Sequence, residues 1–133
     1  MLYNILYNML NLYIGPMFSG KTTELIRIFK RYSSCDSIKC CVINHKDDTR
    51  YDDTLMSSHS KEMISAYNFK TLSEILKNNL HYKYDIILIN EGQFFDDLYE
   101  SVDMLVNKHN KKLYICGLDG DYQRKKFGKM HYI

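Results

Sequence analysis

Short apolar runs alternate along the chain with segments of helical apolar spacing. Alternating apolar residues predict a strand at residues 10–14, and continuous apolar runs predict three more at residues 40–43, 85–89 and 113–118. Helical spacing predicts three helices, at residues 21–32, 72–76 and 94–106. Strands that alternate with helices predict an α/β fold, a P-loop NTPase-like parallel sheet with helices on both faces. In such sheets, ligands bind at the carboxyl ends of the strands.

Two regions are less regular. The apolar residues up to Leu10 follow helical spacing, whereas those from Leu10 to Ile14 alternate, so the start of the chain fits either a helix or a strand. Residues 44–60 are polar and predict a long loop, of a length that is usually functional or disordered. Thr71 and Glu74 have the spacing of a capping box, which predicts a helix start.

Size and composition limit the function classes. The chain of 133 residues suits one domain, residues 1–133, and its net charge of +2 gives little support for a nucleic-acid partner. No stretch reaches the roughly 18 apolar residues of a membrane span, and the start lacks the charge of a signal peptide. We therefore expect a cytoplasmic protein without a membrane partner. Its cysteines form no C-x-x-C pair and are expected to be reduced thiols: Cys35, Cys40, Cys41 and Cys116.

The segment after the first predicted strand matches G-x-x-x-x-G-K-[ST] in full. It consists of Gly15, Pro16, Met17, Phe18, Ser19, Gly20, Lys21 and Thr22. The two glycines let the backbone curl until its N–H groups point at phosphate oxygens. Lys21 supplies a cation for the β- and γ-phosphates, and the Thr22 hydroxyl is placed to bind Mg²⁺. The helix that starts near Lys21 adds its N-terminal dipole, so the motif predicts nucleotide binding.

A second candidate site follows the apolar run at residues 85–89. P-loop enzymes carry an acidic residue at the end of a buried strand near the metal, and here that run ends in Asn90 and Glu91. The Glu91 carboxylate is placed to take a proton from an attacking hydroxyl. A surface glutamate just past a strand is the other interpretation, which the neighbouring P-loop disfavours.

Four segments in one order resemble the cellular and poxviral type of thymidine kinase. They are residues 15–22, 48–51, 91–95 and 118–128, and the resemblance covers about residues 12–130. It implies transfer of the ATP γ-phosphoryl group to the 5′-hydroxyl of thymidine, with Mg²⁺, in a homo-oligomer. It also implies that the family continues with a zinc site and a loop over thymidine. The 133 residues contain neither, so we expect a C-terminally truncated member without structural zinc.

The resemblance implies roles for particular residues. Glu91 matches the proton acceptor, and Asp48, Thr49 and Arg50 match a segment on the ATP side, where Arg50 could counter charge on the transferred phosphoryl group. The segment that closes the metal and phosphate site matches Asn90, Glu91, Gly92 and Gln93. Positions around the base match Met17, Phe94, Leu118, Tyr122 and Phe127.

For some of these residues, other interpretations stay open. Phe94 and Leu118 lie in apolar periodic segments and fit an ordinary core equally well, whereas Tyr122 and Phe127 lie in a polar stretch that favours a ligand. Arg50 is also placed to pair with a neighbouring aspartate.

Two positions depart from the family pattern: Ser60 follows His59 where the family often has Asp, and Asn90 is the other. Asn90 stands where the family usually has Asp, which helps to hold the water shell of Mg²⁺. Asn keeps a carbonyl oxygen but loses the charge that hard Mg²⁺ prefers, so weaker metal affinity or slower turnover is expected.

Two functions of other classes remain open beside a thymidine kinase. One is a truncated nucleotide-binding remnant without turnover, able to associate with full-length subunits. The other alternative is a recombinase-type P-loop ATPase, which acts on DNA and which the near-neutral charge disfavours. A GTPase is disfavoured further, because Asn44-His45-Lys46-Asp47 lacks the spacing of the guanine-reading motif.

Overall fold

The computed structural model describes residues 3–7, 9–15, 21–46, 55–57 and 63–117. The strands are β1 (Tyr3–Tyr7), β2 (Leu10–Ile14), β3 (Cys40–His45), β4 (Leu55–Ser57), β5 (Met63–Ser65), β6 (Tyr67–Phe69), β7 (Ile86–Ile89) and β8 (Lys112–Gly117). The α-helices are α1 (Lys21–Ser33), α2 (Ser73–Lys77), α3 (Leu80–Lys83) and α4 (Leu98–Asp103). A 3-10 turn, Gly92–Phe94, precedes α4, and a π-helical segment, Met104–Lys108, continues it.

Six strands form the main sheet in the order β1-β2-β8-β7-β3-β6. All neighbours pair in parallel except β1, which pairs antiparallel with β2. Tyr7 pairs with Leu10, so the start of the chain is a hairpin strand, and the alternative helix there is wrong. The backbone pairing with β2 decides this, since apolar spacing alone cannot separate the two.

Apolar side chains cover both faces of the sheet. On one face, α1 contributes Leu25, Ile26 and Ile28 to a core with Val42 and Leu88. On the other face, α2, α3, α4 and the segments beside them cover alternate residues of the same strands. The α/β fold with helices on both faces is thereby confirmed. Among the helices of the described ranges, none is long and apolar enough to cross a bilayer.

The loop predicted over residues 44–60 is wrong in part. Strand β3 continues through Asn44 and His45, which are buried and pair with β6. Further along, β4 pairs antiparallel with β5 as a separate two-stranded sheet. Ladder hydrogen bonds and burial at the sheet override the polar character of Asn44 and His45. Residues 47–54 and 58–62 lie outside the described part of the chain.

The capping box at Thr71 and Glu74 is half formed. The Glu74 carboxylate accepts hydrogen bonds from the backbone N–H of Lys70 and Thr71, but the Thr71 hydroxyl pairs with Ser73. A carboxylate distant in sequence, Asp97, accepts the backbone N–H groups of Leu72 and Ser73, each at 2.9 Å. The first turn of α2 is therefore capped by the segment that leads into α4.

Candidate active site

The carboxyl ends of four neighbouring strands meet at one edge of the sheet. There the chain leaves β2 at Gly15, and α1 begins at Lys21, six residues further on. The backbone N–H of Gly15 donates to the carbonyl oxygen of Gly117, the last residue of β8, at 3.3 Å. Strand, short connection and helix N-terminus thus follow one another at the ligand-binding edge, the arrangement that a phosphate-binding loop requires.

Glu91 follows β7 at the same edge. Only β8 separates β7 from β2, so the two strand ends lie about 10 Å apart by strand spacing. The Glu91 side chain is buried, with 4% of the residue exposed, and its Oε2 accepts a hydrogen bond from Gln93 Nε2. A buried, oriented carboxylate at this edge is a candidate proton acceptor.

The backbone of Glu91 is left-handed, with φ 55° and ψ 54°. For a residue with a Cβ this conformation costs about 1–3 kcal/mol, and such strain clusters at functional sites. The 3-10 turn begins here, because Phe94 N–H donates to the Glu91 carbonyl oxygen at 3.1 Å. The strand therefore ends in a sharp turn at the residue that carries the buried carboxylate.

Asn90 is completely buried between two neighbouring strands. Its Nδ2 donates to Asn44 Oδ1 of β3 at 3.2 Å, and its Oδ1 accepts the Cys116 thiol of β8 at 3.1 Å. Its backbone N–H also donates to the carbonyl oxygen of Ile43 at 2.9 Å. Asn90 is thus bonded on both sides and through its main chain.

Phe94 is not part of the core, since 40% of it is exposed. Its ring lies 5.8 Å from the imidazole of His45, while the buried Phe95 ring lies edge-on to the same imidazole at 4.8 Å. The sequence left core packing and a ligand contact open for Phe94, and this exposure excludes ordinary core packing. An exposed aromatic side chain at this edge is a candidate contact for a flat ring.

The predicted site residues divide into two groups. The described part of the chain brings to one sheet edge Gly15, the α1 start at Lys21 and Thr22, and the run Asn90, Glu91, Gly92, Gln93 and Phe94. The others lie outside the described residues: Pro16, Met17, Phe18, Ser19, Gly20, Asp48, Thr49, Arg50, Leu118, Tyr122 and Phe127. Their roles remain predictions.

The sequence reasoning missed three residues at this edge. Asn44 and His45 were predicted to lie in a loop, and Cys116 was predicted only to be a reduced thiol. A usable signal was present, because all three stand at or near the end of an apolar strand run, where parallel sheets place ligand groups. Within the described ranges no three His, Cys, Asp or Glu side chains gather as a metal group.

These features define an α/β protein with a P-loop-like fold and a buried carboxylate at the carboxyl ends of its parallel strands. The sequence model of the family described as thymidine kinase matches residues 8–133. The chain therefore belongs to the thymidine kinase family.

Similar proteins support the same assignment. The chain is 40% identical over 121 residues to the thymidine kinase of sheeppox virus, covering 91% of the chain and 66% of that protein. It is 42% identical over 117 residues to thymidine kinase 1 of Dictyostelium discoideum, covering 85% and 50%. With the thymidine kinase of Choristoneura fumiferana entomopoxvirus, identity is 44% over 117 residues, covering 85% and 62%. The chain thus spans half to two thirds of these relatives.

Proposed function

We propose that this chain binds ATP with Mg²⁺ and transfers the γ-phosphoryl group to the 5′-hydroxyl of thymidine, a step of DNA-precursor salvage. One observation carries the proposal: the buried Glu91 carboxylate stands at the same sheet edge as the strand–loop–helix connection of the phosphate motif. Proximity of a phosphate cradle and a proton acceptor is the minimum arrangement for a kinase.

The residues present fit an ATP–magnesium complex. The 13-residue helix α1 begins at Lys21, within the G-x-x-x-x-G-K-T segment, so its N-terminus lies at the ligand edge. Thr22 offers a hydroxyl oxygen, a hard donor of the kind that Mg²⁺ accepts, and the carbonyl oxygen of Asn90 is a weaker candidate that would act through water. Bound Mg²⁺ would neutralise phosphate charge, and Lys21 and Arg50 would add to that neutralisation. Asp48 and Thr49 are proposed to contact the ATP side.

Glu91 is proposed to accept the proton of the nucleoside hydroxyl. As the 5′-oxygen forms its bond to the γ-phosphorus, the bond from that phosphorus to the β,γ-bridging oxygen breaks and ADP leaves. The hydroxyl proton passes to the carboxylate. The hydrogen bond from Gln93 and the turn at Gly92 hold the carboxylate during this step.

The base is proposed to lie against Phe94. This ring is the described member of the predicted base-contacting set, and its exposed face at the ligand edge supports the role. The other proposed members are Met17, Leu118, Tyr122 and Phe127. A base held against Phe94 would place the sugar between that ring and the phosphate motif.

The assembly and the cellular setting are also proposals. We propose one domain, residues 1–133, because six of the described strands form one main sheet whose two faces are both covered. By resemblance we propose a cytoplasmic homo-oligomer that requires neither nucleic acid nor membrane.

The test is turnover by the purified chain with ATP, Mg²⁺ and thymidine, compared with a Glu91→Gln variant of equal fold. We expect thymidine-dependent ADP formation that falls at least about a hundredfold in the variant, as loss of a general base does, while ATP affinity is kept. ATP binding without thymidine-dependent turnover would identify the nucleotide-binding remnant instead. Hydrolysis stimulated by single-stranded DNA would identify the recombinase-type ATPase.

A further inference from the structure

Three side chains form a buried hydrogen-bonded row across the ligand edge. Asn44 at the end of β3, Asn90 after β7 and Cys116 in β8 lie on three adjacent strands, with Asn90 in the middle. The row joins Asn44 Oδ1 to Asn90 Nδ2 at 3.2 Å and Asn90 Oδ1 to Cys116 Sγ at 3.1 Å. All three are nearly or fully buried. We refer to these three residues as the amide row.

The amide row continues into the phosphate motif through the main chain. Gly117, next to Cys116, accepts the backbone N–H of Gly15 at 3.3 Å. On the other side, Asn44 leads into the segment that carries Arg50. The row therefore links β7, which precedes Glu91, to β3, which precedes the segment of Arg50. Through Gly117 of β8 it is also linked to Gly15, the first residue of the phosphate motif.

The chemistry of the row suits fixation of the backbone. An asparagine amide has a donor side and an acceptor side, so it can bond two different neighbours at once, which a carboxylate cannot do without a proton. Buried polar groups whose hydrogen bonds are all made rigidify the segment that carries them. The next residue, Glu91, holds a left-handed backbone that persists only where its surroundings impose it.

We propose that Asn90 is a positioning residue, held by Asn44 and Cys116, that sets the bend at Glu91, and that this is its main role rather than a magnesium contact. The proposal rests on the proposed function for the role of Glu91. It assigns Cys116 and Asn44 to positioning as well. In this chain the side chain at position 90 is a neutral bridge between Asn44 and Cys116.

The first experiment needs no catalysis. Amide hydrogen exchange is measured in the intact chain for Cys116→Ala, which removes the donor, and Cys116→Ser, which keeps one. The reporters are the backbone N–H groups of Asn90 and Phe94, bonded to Ile43 and Glu91, and the reference is Leu113 N–H, bonded to Met9 at the opposite end of β8. We expect Cys116→Ala to speed exchange at the reporters roughly fivefold more than at the reference, the equivalent of one net hydrogen bond.

Matched variants separate positioning from general packing. Cys41 is another buried cysteine, on β3, with its side chain in the core of the opposite face. Cys41→Ala is expected to change reporters and reference alike, and Cys116→Ser is expected to keep the wild-type difference between them. Equal effects of Cys116→Ala on reporters and reference, or no recovery with serine, would overturn the proposal.

The second experiment addresses the metal. Calorimetry gives the ATP affinity with Mg²⁺ and with EDTA for the wild type, Asn90→Ala and Cys116→Ala. We expect the ratio of the two affinities to stay within about twofold in both variants, well below the tenfold or larger loss that removal of supporting groups causes at metal sites. A ratio that falls tenfold in Asn90→Ala and not in Cys116→Ala would assign Asn90 to the metal and reject the positioning role.

Turnover provides a third readout where the chain is active. Both Cys116→Ala and Asn44→Ala are expected to lower kcat with little change in the KM for ATP, and Cys116→Ser is expected to recover kcat. A rise in the KM for ATP at unchanged kcat would contradict positioning of Glu91. If the chain binds no ATP at all, the proposed function fails, while the exchange experiment still decides the amide row.

Discussion

Gln93 donates a hydrogen bond from its Nε2 to the carboxylate of Glu91, two residues earlier in the chain. The contact closes over the 3-10 turn, which begins at the left-handed backbone of Glu91. A carboxylate after an extended strand would otherwise follow the strand direction. Backbone strain and side-chain orientation at this position are therefore two aspects of one local structure.

The strain at Glu91 predicts a reversed order of stability for two variants. Glu91→Gly and Glu91→Ala both delete the carboxylate and differ only in the Cβ atom. Because a left-handed residue with a Cβ costs about 1–2 kcal/mol, we expect the glycine variant to be more stable than the alanine variant by about 1 kcal/mol. Urea unfolding measures the difference.

At a control position in a helix, the expected difference in stability between the glycine and alanine variants has the opposite sign. At Glu100, exposed and inside α4, glycine should be less stable than alanine by about 1 kcal/mol. If alanine were also the more stable residue at position 91, the backbone there would not be strained.

Asp97, which precedes α4, stabilises the start of α2 through its hydrogen bonds, so its removal should destabilise the protein. Its carboxylate accepts two backbone N–H groups at the start of α2 and the Ser101 hydroxyl at 3.0 Å. Asp97→Ala should lower the free energy of unfolding by about 2 kcal/mol, because charged acceptors at helix starts are among the stronger hydrogen bonds. The neighbouring exposed Asp96→Ala should cost less than about 0.5 kcal/mol. Equal losses at the two positions would contradict the capping role.

The cysteines should differ in their reactivity toward iodoacetamide. The hydrogen bond from Ser37 lowers the pKa of the exposed Cys35 thiol, whereas burial raises the pKa of Cys40 to about 12. Because the thiolate is the nucleophile, Cys35 should be alkylated first at pH 8, then Cys40, with the buried Cys41 and Cys116 last. Mass spectrometry of peptides over time measures this order.

The alkylation experiment has two controls. Ser37→Ala should slow the reaction of Cys35 at pH 8, because its pKa returns toward the ordinary value. In concentrated urea all four thiols should react at similar rates. A Cys40 rate equal to that of Cys35 in the folded chain would show that Cys40 is not buried.

The raised pKa of Tyr84 implies that the protein loses stability at alkaline pH. Its hydrogen bond with Tyr67, followed by burial, raises its pKa from 10 to about 12. A raised folded pKa means that the stabilising contribution is complete below about pH 10 and is lost as the pH rises through about 12. Thermal melts between pH 9 and 12 should show this decline.

Phenylalanine variants test the tyrosine pair. Tyr84→Phe should lower stability at pH 8 by breaking the 2.8 Å contact with Tyr67, and should flatten the part of the pH profile that Tyr84 causes. An unchanged profile between pH 10 and 12 would assign the decline to other tyrosines.

The proposed contact between Phe94 and the base can be tested through the KM for thymidine. If its exposed ring stacks on the base, Phe94→Ala should raise the KM for thymidine up to about tenfold, the equivalent of the 0.5–1.5 kcal/mol of an aromatic pair. Phe94→Tyr should keep the wild-type value. Tyr99→Ala, at an exposed aromatic residue in α4, should leave the KM unchanged and serves as the control. Equal effects of the two alanine variants would remove Phe94 from the site.

Much of the architecture could be predicted from local pattern. The buried runs at β3, β7 and β8 and the amphipathic α1 were predicted nearly at their observed bounds, because apolar spacing reports directly on which face is covered. The pattern failed at the chain start and at Asn44 and His45. There, strand pairing decided the structure, and pairing depends on residues far away in sequence.

By itself, the sequence determined the order of strands and helices, the phosphate motif and the family, since these are read from neighbours along the chain. Only the tertiary structure decided that Asn90 lies between Asn44 and Cys116, 46 residues before it and 26 after it. It alone decided that Asp97 caps α2 and that Phe94 is exposed beside His45. The physical reason is that parallel strands bring their carboxyl ends together through long crossovers, so side chains that meet at one edge leave no local spacing to recognise.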